Sequence, residues 1–167
     1  RHLIDLGHRR IACITGPSDV TPSAERIIGY RQAMAEEGIP VNGNLVVRGD
    51  FQYESAYRAS IQLLRMEDPP TAIFACNDLM AVAVMSAALE QGQQVPRDLS
   101  VVGFDDVRLA AFANPPLTTI AQPKYEMGVV AATMLLERIR DPNSPAQRRV
   151  FESSLVTRKS TAPAREG

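Results

Sequence analysis

The sequence has no excess of charge of either sign, few cysteines and no long hydrophobic run. Its 18 Lys and Arg residues are balanced by 19 Asp and Glu residues, which leaves a formal net charge of -1. It therefore offers no positive field that would attract a phosphate backbone. The longest strongly apolar stretch, residues 79–89, is about half of the roughly 20 residues that a membrane-spanning helix needs. We expect the chain neither to bind DNA by itself nor to cross a membrane.

The sequence also lacks the motifs of metal centres and hydrolytic enzymes. Cys13 and Cys76 lie in apolar, strand-like runs without a Cys or His at metal-ligand spacing. Two cysteines are too few for a disulfide scaffold, which indicates a reduced, cytoplasmic protein. The nucleophile elbow G-x-S-x-G and the metal helix H-E-x-x-H are missing, and residues 16–21 lack the lysine of a phosphate-binding loop. We predict that the chain is not an enzyme and holds no metal or cofactor.

What is present is the pattern of an α/β domain. The 167 residues are 45% hydrophobic and 22% charged, as in soluble globular proteins. Short apolar runs alternate with longer amphipathic ones, which predicts a parallel sheet flanked by helices on both faces. Runs without polar alternation indicate strands that are buried on both sides. The predicted strands are residues 11–15, 45–48, 71–75, 100–104, 117–120 and 150–157.

The predicted helices have recognisable ends. Thr21 offers an N-cap before Pro22 in the first turn, and either Asn77 or Asp78 can cap the third long helix. That helix is apolar on nearly all sides, which indicates either a buried helix or one at an interface. A short segment at 107–113 and a long amphipathic helix at 124–140 follow. The two histidines precede the first strand, where we expect them at the surface.

Polar residues follow the predicted strands where ligands bind in open α/β sheets, beyond the carboxyl ends. Phe51, Asn77 and Asp105 stand at three such ends, and Arg26 lies one turn into the first long helix. A ring, an amide, a carboxylate and a guanidinium suit a polyhydroxylated ligand, and they would equally suit a nucleobase. The alternatives are a surface arginine, a core phenylalanine and residues that only cap a helix. Adjacent side chains on an extended chain point apart, so at most one of Asp105 and Asp106 enters the crevice.

Nine short stretches follow one another along the sequence, among them LGHRRIA at residues 6–12, NDLMA at 77–81 and VPRDLSVVGFDD at 95–106. Together they resemble the effector-binding domain of lactose-repressor-like transcription regulators. The resemblance covers nearly the whole chain and implies a periplasmic-binding-protein-like fold. It implies a cytoplasmic sensor that binds a small sugar or related metabolite between two lobes. A free-standing sugar-binding protein of a transport system is the alternative, and an α/β enzyme comes third.

The resemblance implies a ligand-binding set of five residues. They are Arg26, Phe51, Asn77, Asp105 and Gln122. Gln122 comes from the resemblance alone, whereas Phe51, Asn77 and Asp105 also follow from the strand ends. Where the purine-sensing member of the family has an arginine and a threonine, this sequence has Val20 and Pro22. That difference disfavours a purine and leaves sugars ahead.

The resemblance also implies a division of the chain. Residues 1–119 form most of a carboxy-terminal lobe, 120–148 a crossover and a helix of a largely missing amino-terminal lobe, 149–161 a return strand, and 162–167 a disordered tail. The helix at 124–140 would then lack its usual partner. We expect it to pack on another copy of the chain or to be displaced.

Homodimerisation is the other implied association, through the third long helix and the segment that follows Asp106. The implied interface residues are Leu79, Val82, Met85, Ser86, Leu109 and Phe112. A helix that is merely buried would carry the same apolar residues. Operator DNA would be bound only through a helix-turn-helix outside this chain.

Overall fold

Six strands form one sheet in the computed structural model, which describes residues 1–165. The strands are β1 (Ile11–Thr15), β2 (Val46–Arg48), β3 (Ala72–Ala75), β4 (Ser100–Asp105), β5 (Thr118–Ala121) and β6 (Ser154–Val156). Their order across the sheet is β2-β1-β3-β4-β5-β6. The pairs among β1 to β5 are parallel, and β6 is antiparallel to β5. The predicted parallel sheet is therefore confirmed, with one antiparallel strand at its edge.

Helices connect these strands. They are α1 (His2–Asp5), α2 (Thr21–Glu36), α3 (Tyr53–Leu64), α4 (Asp78–Glu90), α5 (Arg108–Phe112) and α6 (Lys124–Arg140), with a short 3-10 turn at Gly43–Leu45. Asn77 caps α4, since its Oδ1 accepts a hydrogen bond of 2.8 Å from the Met80 amide. Val20 occupies the N-cap position of α2 and Thr21 is already helical, so the prediction of Thr21 as the cap is wrong.

Helices cover both faces of the sheet, as predicted. Successive residues of a strand point to opposite faces, so Gly103 and Phe104 of β4 mark the two sides. A Cβ placed at Gly103 would be 3.3 Å from the Ala81 Cβ of α4. On the other side, Arg26 of α2 lies over the Phe104 ring. α3 packs beside α4. The two faces therefore carry different helices, α3 and α4 on one and α2 on the other.

The core lies where the continuous apolar runs were predicted. All five residues of β1 are buried, and β3 and β4 are buried over most of their length. The core also holds two free thiols, Cys13 and Cys76. Strands buried on both faces need apolar side chains in both directions, which explains why these runs do not alternate.

His8 is buried, not at the surface as the sequence suggested. Only 3% of the residue is exposed. Its Nδ1 lies 2.9 Å from the Thr71 hydroxyl, and its Nε2 lies 3.0 Å from the Ser100 hydroxyl and 3.1 Å from the Ala162 carbonyl oxygen. Burial lowers the pKa of the imidazole. His8 thus joins the start of the chain, the amino ends of the sheet and the segment after β6.

The prediction of a disordered tail is wrong for residues 162–165. The Ala164 amide donates a hydrogen bond of 2.8 Å to the Leu6 carbonyl oxygen. The Arg165 guanidinium lies 2.6 Å from the Asp98 carboxylate. These two contacts hold residues 162–165 in place, the first against the end of α1 and the second against Asp98. The last two residues of the predicted tail lie outside the described part of the chain.

α6 differs from the other long helices in what surrounds it. Across its 17 residues, all of which the structure describes, no side chain is buried. Five large apolar side chains of this helix are exposed: Tyr125, Val129, Leu135, Leu136 and Ile139. Within residues 1–165, no helix has both the length and the apolar character to cross a bilayer.

Candidate functional site

Asp105 and two predicted partners meet at the carboxyl end of β4. Oδ1 of Asp105 accepts a hydrogen bond of 3.0 Å from Nη2 of Arg26 and one of 2.7 Å from Nε2 of Gln122. Arg26 comes from α2, and Gln122 follows β5 directly. The side chains of Arg26 and Asp105 are 13% and 29% exposed, so the ion pair is reachable from solvent. The sheet therefore brings three distant positions to one rim.

Arg26 is held in one orientation by several groups. Its guanidinium carbon lies 3.8 Å from the centroid of the Phe104 ring and 5.8 Å from that of Phe51. Its Nη1 donates to the Cys76 carbonyl oxygen. Stacking on an aromatic face and a fixed fork of donors are properties of arginine that lysine lacks. The alternative of a free surface arginine is wrong.

Phe51 and Asn77 form the other part of the rim. Phe51 has a φ of 66°, in the left-handed region, which is uncommon for a bulky residue. Its ring lies over Gly16, where a Cβ would come within 2.2 Å of the Phe51 Cζ. The Asn77 side chain donates from Nδ2 to the Phe51 carbonyl oxygen at 3.0 Å, while its Oδ1 caps α4. Asn77 thus caps α4 and also lies at the rim of the crevice, while its role as a ligand-binding residue stays a prediction.

Asp106 contacts a different arginine from Asp105, so only Asp105 joins the Arg26 cluster, although the backbone here is not the extended chain from which that outcome was predicted. Oδ1 of Asp106 accepts a hydrogen bond of 2.7 Å from Nη2 of Arg158. Asp105 and Asp106 have φ values of 107° and 50°, so the chain turns sharply here. The Lys124 ammonium donates to both of their carbonyl oxygens, at 2.7 and 2.8 Å. Sequence reasoning missed Arg158 and Lys124, since nothing in their spacing relates them to this turn.

Asp78 does not cap α4, although its side chain was one of the two candidates for that role. It lies in the interior instead. It is 1% exposed, and its Oδ2 accepts a hydrogen bond of 2.8 Å from the Val107 amide. Its Oδ1 accepts one from the Thr119 hydroxyl. Burial raises the pKa of this carboxyl, against the opposing effect of the two hydrogen bonds. Its position after an apolar strand could have indicated burial, but its partners lie far away in the sequence.

An apolar groove of about 820 Å³ adjoins the rim. It reaches from Arg26 and Gln122 along the sheet, past Phe104 and Ile120, to α1. Its lining does not include Phe51, Asn77 or Asp105. The groove therefore meets the polar crevice at one end, and its largely apolar walls differ from the polar rim.

The predicted dimer residues lie on α4 and α5, with one correction. We call the exposed part the α4–α5 surface, formed by Leu79, Val82, Ser86, Leu109 and Phe112. Phe112 is 75% exposed, Leu109 42% and Leu79 37%, whereas Val82 and Ser86 are half-buried. Met85 is 7% exposed because it turns into the core of its own chain. Its prediction as an interface residue is therefore wrong.

Residues 1–161 match the family described as periplasmic binding protein-like domain. The chain belongs to this family. The resemblance found in the sequence and the fold class derived from it are thereby confirmed.

The proteins to which this chain is similar include transcription regulators. The repressor PurR of Photobacterium profundum is 48% identical over 162 residues, which are 96% of this chain and 48% of that protein. A CelR regulator in complex with cellobiose superposes with a TM-score of 0.91 at 40% identity, over 95% of this chain and 49% of that one. The lac repressor dimer bound to operator and the anti-inducer ONPF gives 0.86 at 33% identity, over 96% and 55%. The chain spans about half the length of the relatives it matches.

Proposed function

We propose that this chain is the effector-sensing part of a cytoplasmic, lactose-repressor-like transcription repressor and that it binds a small, neutral sugar. The observation that carries the proposal is the cluster of Arg26, Asp105 and Gln122 beside Phe51 and Asn77. The other wall of the crevice would come from an amino-terminal lobe outside this chain. No bond is made or broken, and the relatives are repressors, which favours sensing over catalysis.

The charges at the rim favour a neutral ligand. Arg26 is paired with Asp105, so the two charges compensate each other. An anionic ligand would have to compete with the Asp105 carboxylate for the guanidinium, at a cost in desolvation and lost pairing. A ligand without charge can instead add hydrogen bonds to the existing pair.

The remaining hydrogen-bond capacity fits hydroxyl groups. Within the described residues, both hydrogen bonds to the Asp105 side chain end on Oδ1, which leaves Oδ2 for a ligand hydroxyl. Nδ2 of Asn77 uses one of its two hydrogens for the Phe51 carbonyl oxygen. The Phe51 ring supplies an apolar surface for the C–H face of a sugar. The cellobiose complex of the CelR relative supports this choice of ligand class.

Calorimetric titration of the full-length protein tests the proposal. The panel contains D-ribose, D-glucose, cellobiose, adenosine and hypoxanthine. We expect one of the sugars to bind, and Asp105→Ala to weaken it by about 100-fold, since a buried ligand hydroxyl would lose a charged acceptor. Asp98→Ala, the same change at the opposite end of β4, should alter affinity less than about threefold.

Two results would contradict the proposal. Binding of the purine base with no response to any sugar would reject the sugar class. An unchanged sugar affinity in Asp105→Ala would remove Asp105 from the site.

We further propose that the intact repressor is a homodimer that pairs through the α4–α5 surface and binds operator DNA through an attached helix-turn-helix. The exposed Phe112 and Leu109 support this surface, as does the dimeric state of the lac repressor relative. In sedimentation equilibrium, Phe112→Glu should weaken the dimer by about 100-fold, because a charge would replace a large apolar contact. Ile28→Glu, at an exposed apolar residue of α2 on the other face of the sheet, is the matched control. A monomeric wild-type protein at high concentration would reject the dimer.

A further inference from the structure

Asp78 follows the crevice residue Asn77 directly, yet its side chain enters the interior. Its carboxylate accepts the Val107 amide on Oδ2 at 2.8 Å and the Thr119 hydroxyl on Oδ1. Val107 is the N-cap residue of α5, and Thr119 lies in the middle of β5. One buried carboxylate therefore joins the first turn of α4, the start of α5 and strand β5.

The packing of β4 is shaped around this carboxylate. A Cβ at Gly103 would come within 2.3 Å of Oδ1 of Asp78 and within 2.9 Å of Cδ2 of Leu117. Only glycine leaves the space that the carboxylate occupies. The position of Asp78 is thus set by close contact with the sheet as well as by its two hydrogen bonds.

The same short segments also reach the crevice. On the α4 side, the preceding residue, Asn77, holds the Phe51 carbonyl oxygen at 3.0 Å. On the α5 side, Val107 comes two residues after Asp105, whose carboxylate holds Arg26 and Gln122. The turn between them has left-handed φ values at two consecutive residues, an uncommon backbone conformation for residues other than glycine. Because only Asp106 separates Asp105 from Val107, a displacement of Asp105 would also move the Val107 amide that Asp78 holds.

We propose that Asp78 is a positioning residue that sets the orientation of α5 against α4 and so couples the effector crevice to the α4–α5 surface. The inference rests on the proposed function of both regions. It assigns to Asp78 a role beyond that of a buried helix residue, because its two partners lie at the start of α5, which follows Asp105, and in β5, which leads to Gln122.

Hydrogen exchange of the full-length protein measures this role through the backbone amides of residues 107–112. We expect Asp78→Ala to accelerate their exchange by about 10-fold, because the Val107 amide loses its acceptor and α5 loses its anchor. Asp78→Asn should restore most of the protection. Its Oδ1 can accept from Val107 while its amide donates to the Thr119 hydroxyl.

Asp98→Ala separates positioning from general loss of stability. Asp98 also accepts a backbone amide, from Gln94 at 2.8 Å, but at the amino end of β4. Each variant is measured at the same interval below its own Tm. If Asp78→Ala and Asp98→Ala then accelerate exchange at 107–112 equally, Asp78 is merely structural and the inference is overturned.

A double-mutant cycle tests the coupling to the crevice. Asp105→Asn alone should accelerate exchange at 107–112 by about threefold, and it should add nothing in the Asp78→Ala background. Independent, additive effects would overturn the coupling. The readout needs neither a ligand nor a dimer, so a protein that binds no sugar or stays monomeric rejects the proposed function while this experiment still decides the role of Asp78.

Discussion

α4 and α6 are both rich in apolar residues, yet one forms the core of the chain and the other is exposed. Eight of the 13 residues of α4 are buried, including Met80 and Val84 at 0% exposure. None of the 17 residues of the fully described α6 is buried. The difference lies in the partners: α4 packs on β3, β4 and α3, whereas within the described residues no strand or helix packs extensively on α6.

An apolar stripe on a helix therefore predicts burial but does not identify the partner. Helices in proteins draw most of their stability from tertiary packing, so the same kind of sequence behaves differently when a partner is beside it. That a second copy covers α6 in this chain, or that an amino-terminal lobe covers it in the longer protein, stays a prediction.

Truncations of one side chain in each helix should give the largest contrast. Met80→Ala in α4 should lower the free energy of unfolding of this chain by about 2–5 kcal/mol, since it leaves a cavity in a packed core. Leu136→Ala in α6, where the residue is 55% exposed, should change it by less than about 0.5 kcal/mol. Urea unfolding followed by circular dichroism measures both. Equal losses would show that α6 is packed after all.

Alanine substitutions at two glycines, Gly103 beside α4 and Gly128 in α6, should change stability in opposite directions. Gly103→Ala places a Cβ against the Asp78 carboxylate and Leu117, and we expect it to destabilise the chain by about 1–3 kcal/mol through overpacking. Gly128 of α6 has open space around it. Gly128→Ala should therefore strengthen that helix locally by about 0.5–1 kcal/mol. Thermal unfolding reports the first change, and amide exchange within α6 reports the second.

The third and smallest expected effect is the dependence of stability on pH. It should come from the packed part of the chain, where His8 is buried. Burial lowers the pKa of His8 below its ordinary value of 6.5. The unfolded chain therefore binds a proton on this histidine at a higher pH than the folded chain does. The contribution of His8 to the free energy of unfolding is therefore fully present above pH 6.5 and is lost as the pH falls below that value. In urea unfolding between pH 7.5 and 5, His8→Gln should show a shallower decline than the parent; parallel curves would contradict this.

Sequence patterns predicted the fold well where one physical cause dominated. β1, β3 and β4 are continuous apolar runs because both of their faces are covered, and all three were predicted within one residue at either end. Phe51, Asn77 and Asp105 were located by the rule that crevices form beyond the carboxyl ends of parallel strands. The structure places these three around Arg26, whereas Gln122 was reached only through the family resemblance.

Other positions were mispredicted because long-range partners decide them. His8 looked like a residue of a frayed end, yet three polar groups from distant segments surround it. Met85 shares the apolar pattern of its neighbours in α4, but the helix turns it inward. The segment 162–165 has the composition of a tail, and it is ordered by acceptors that its own sequence does not contain.

The alternation of strands and helices and the kinds of side chain at the strand ends can be read from the order of residues alone, because both follow from local periodicity and from the direction of parallel strands. The link that Asp78 makes between three elements and the bare surface of α6 emerge only when the chain is folded. These outcomes depend on which surfaces meet in space, and hydrophobic burial and hydrogen bonding between distant residues leave no local pattern from which the partner can be read.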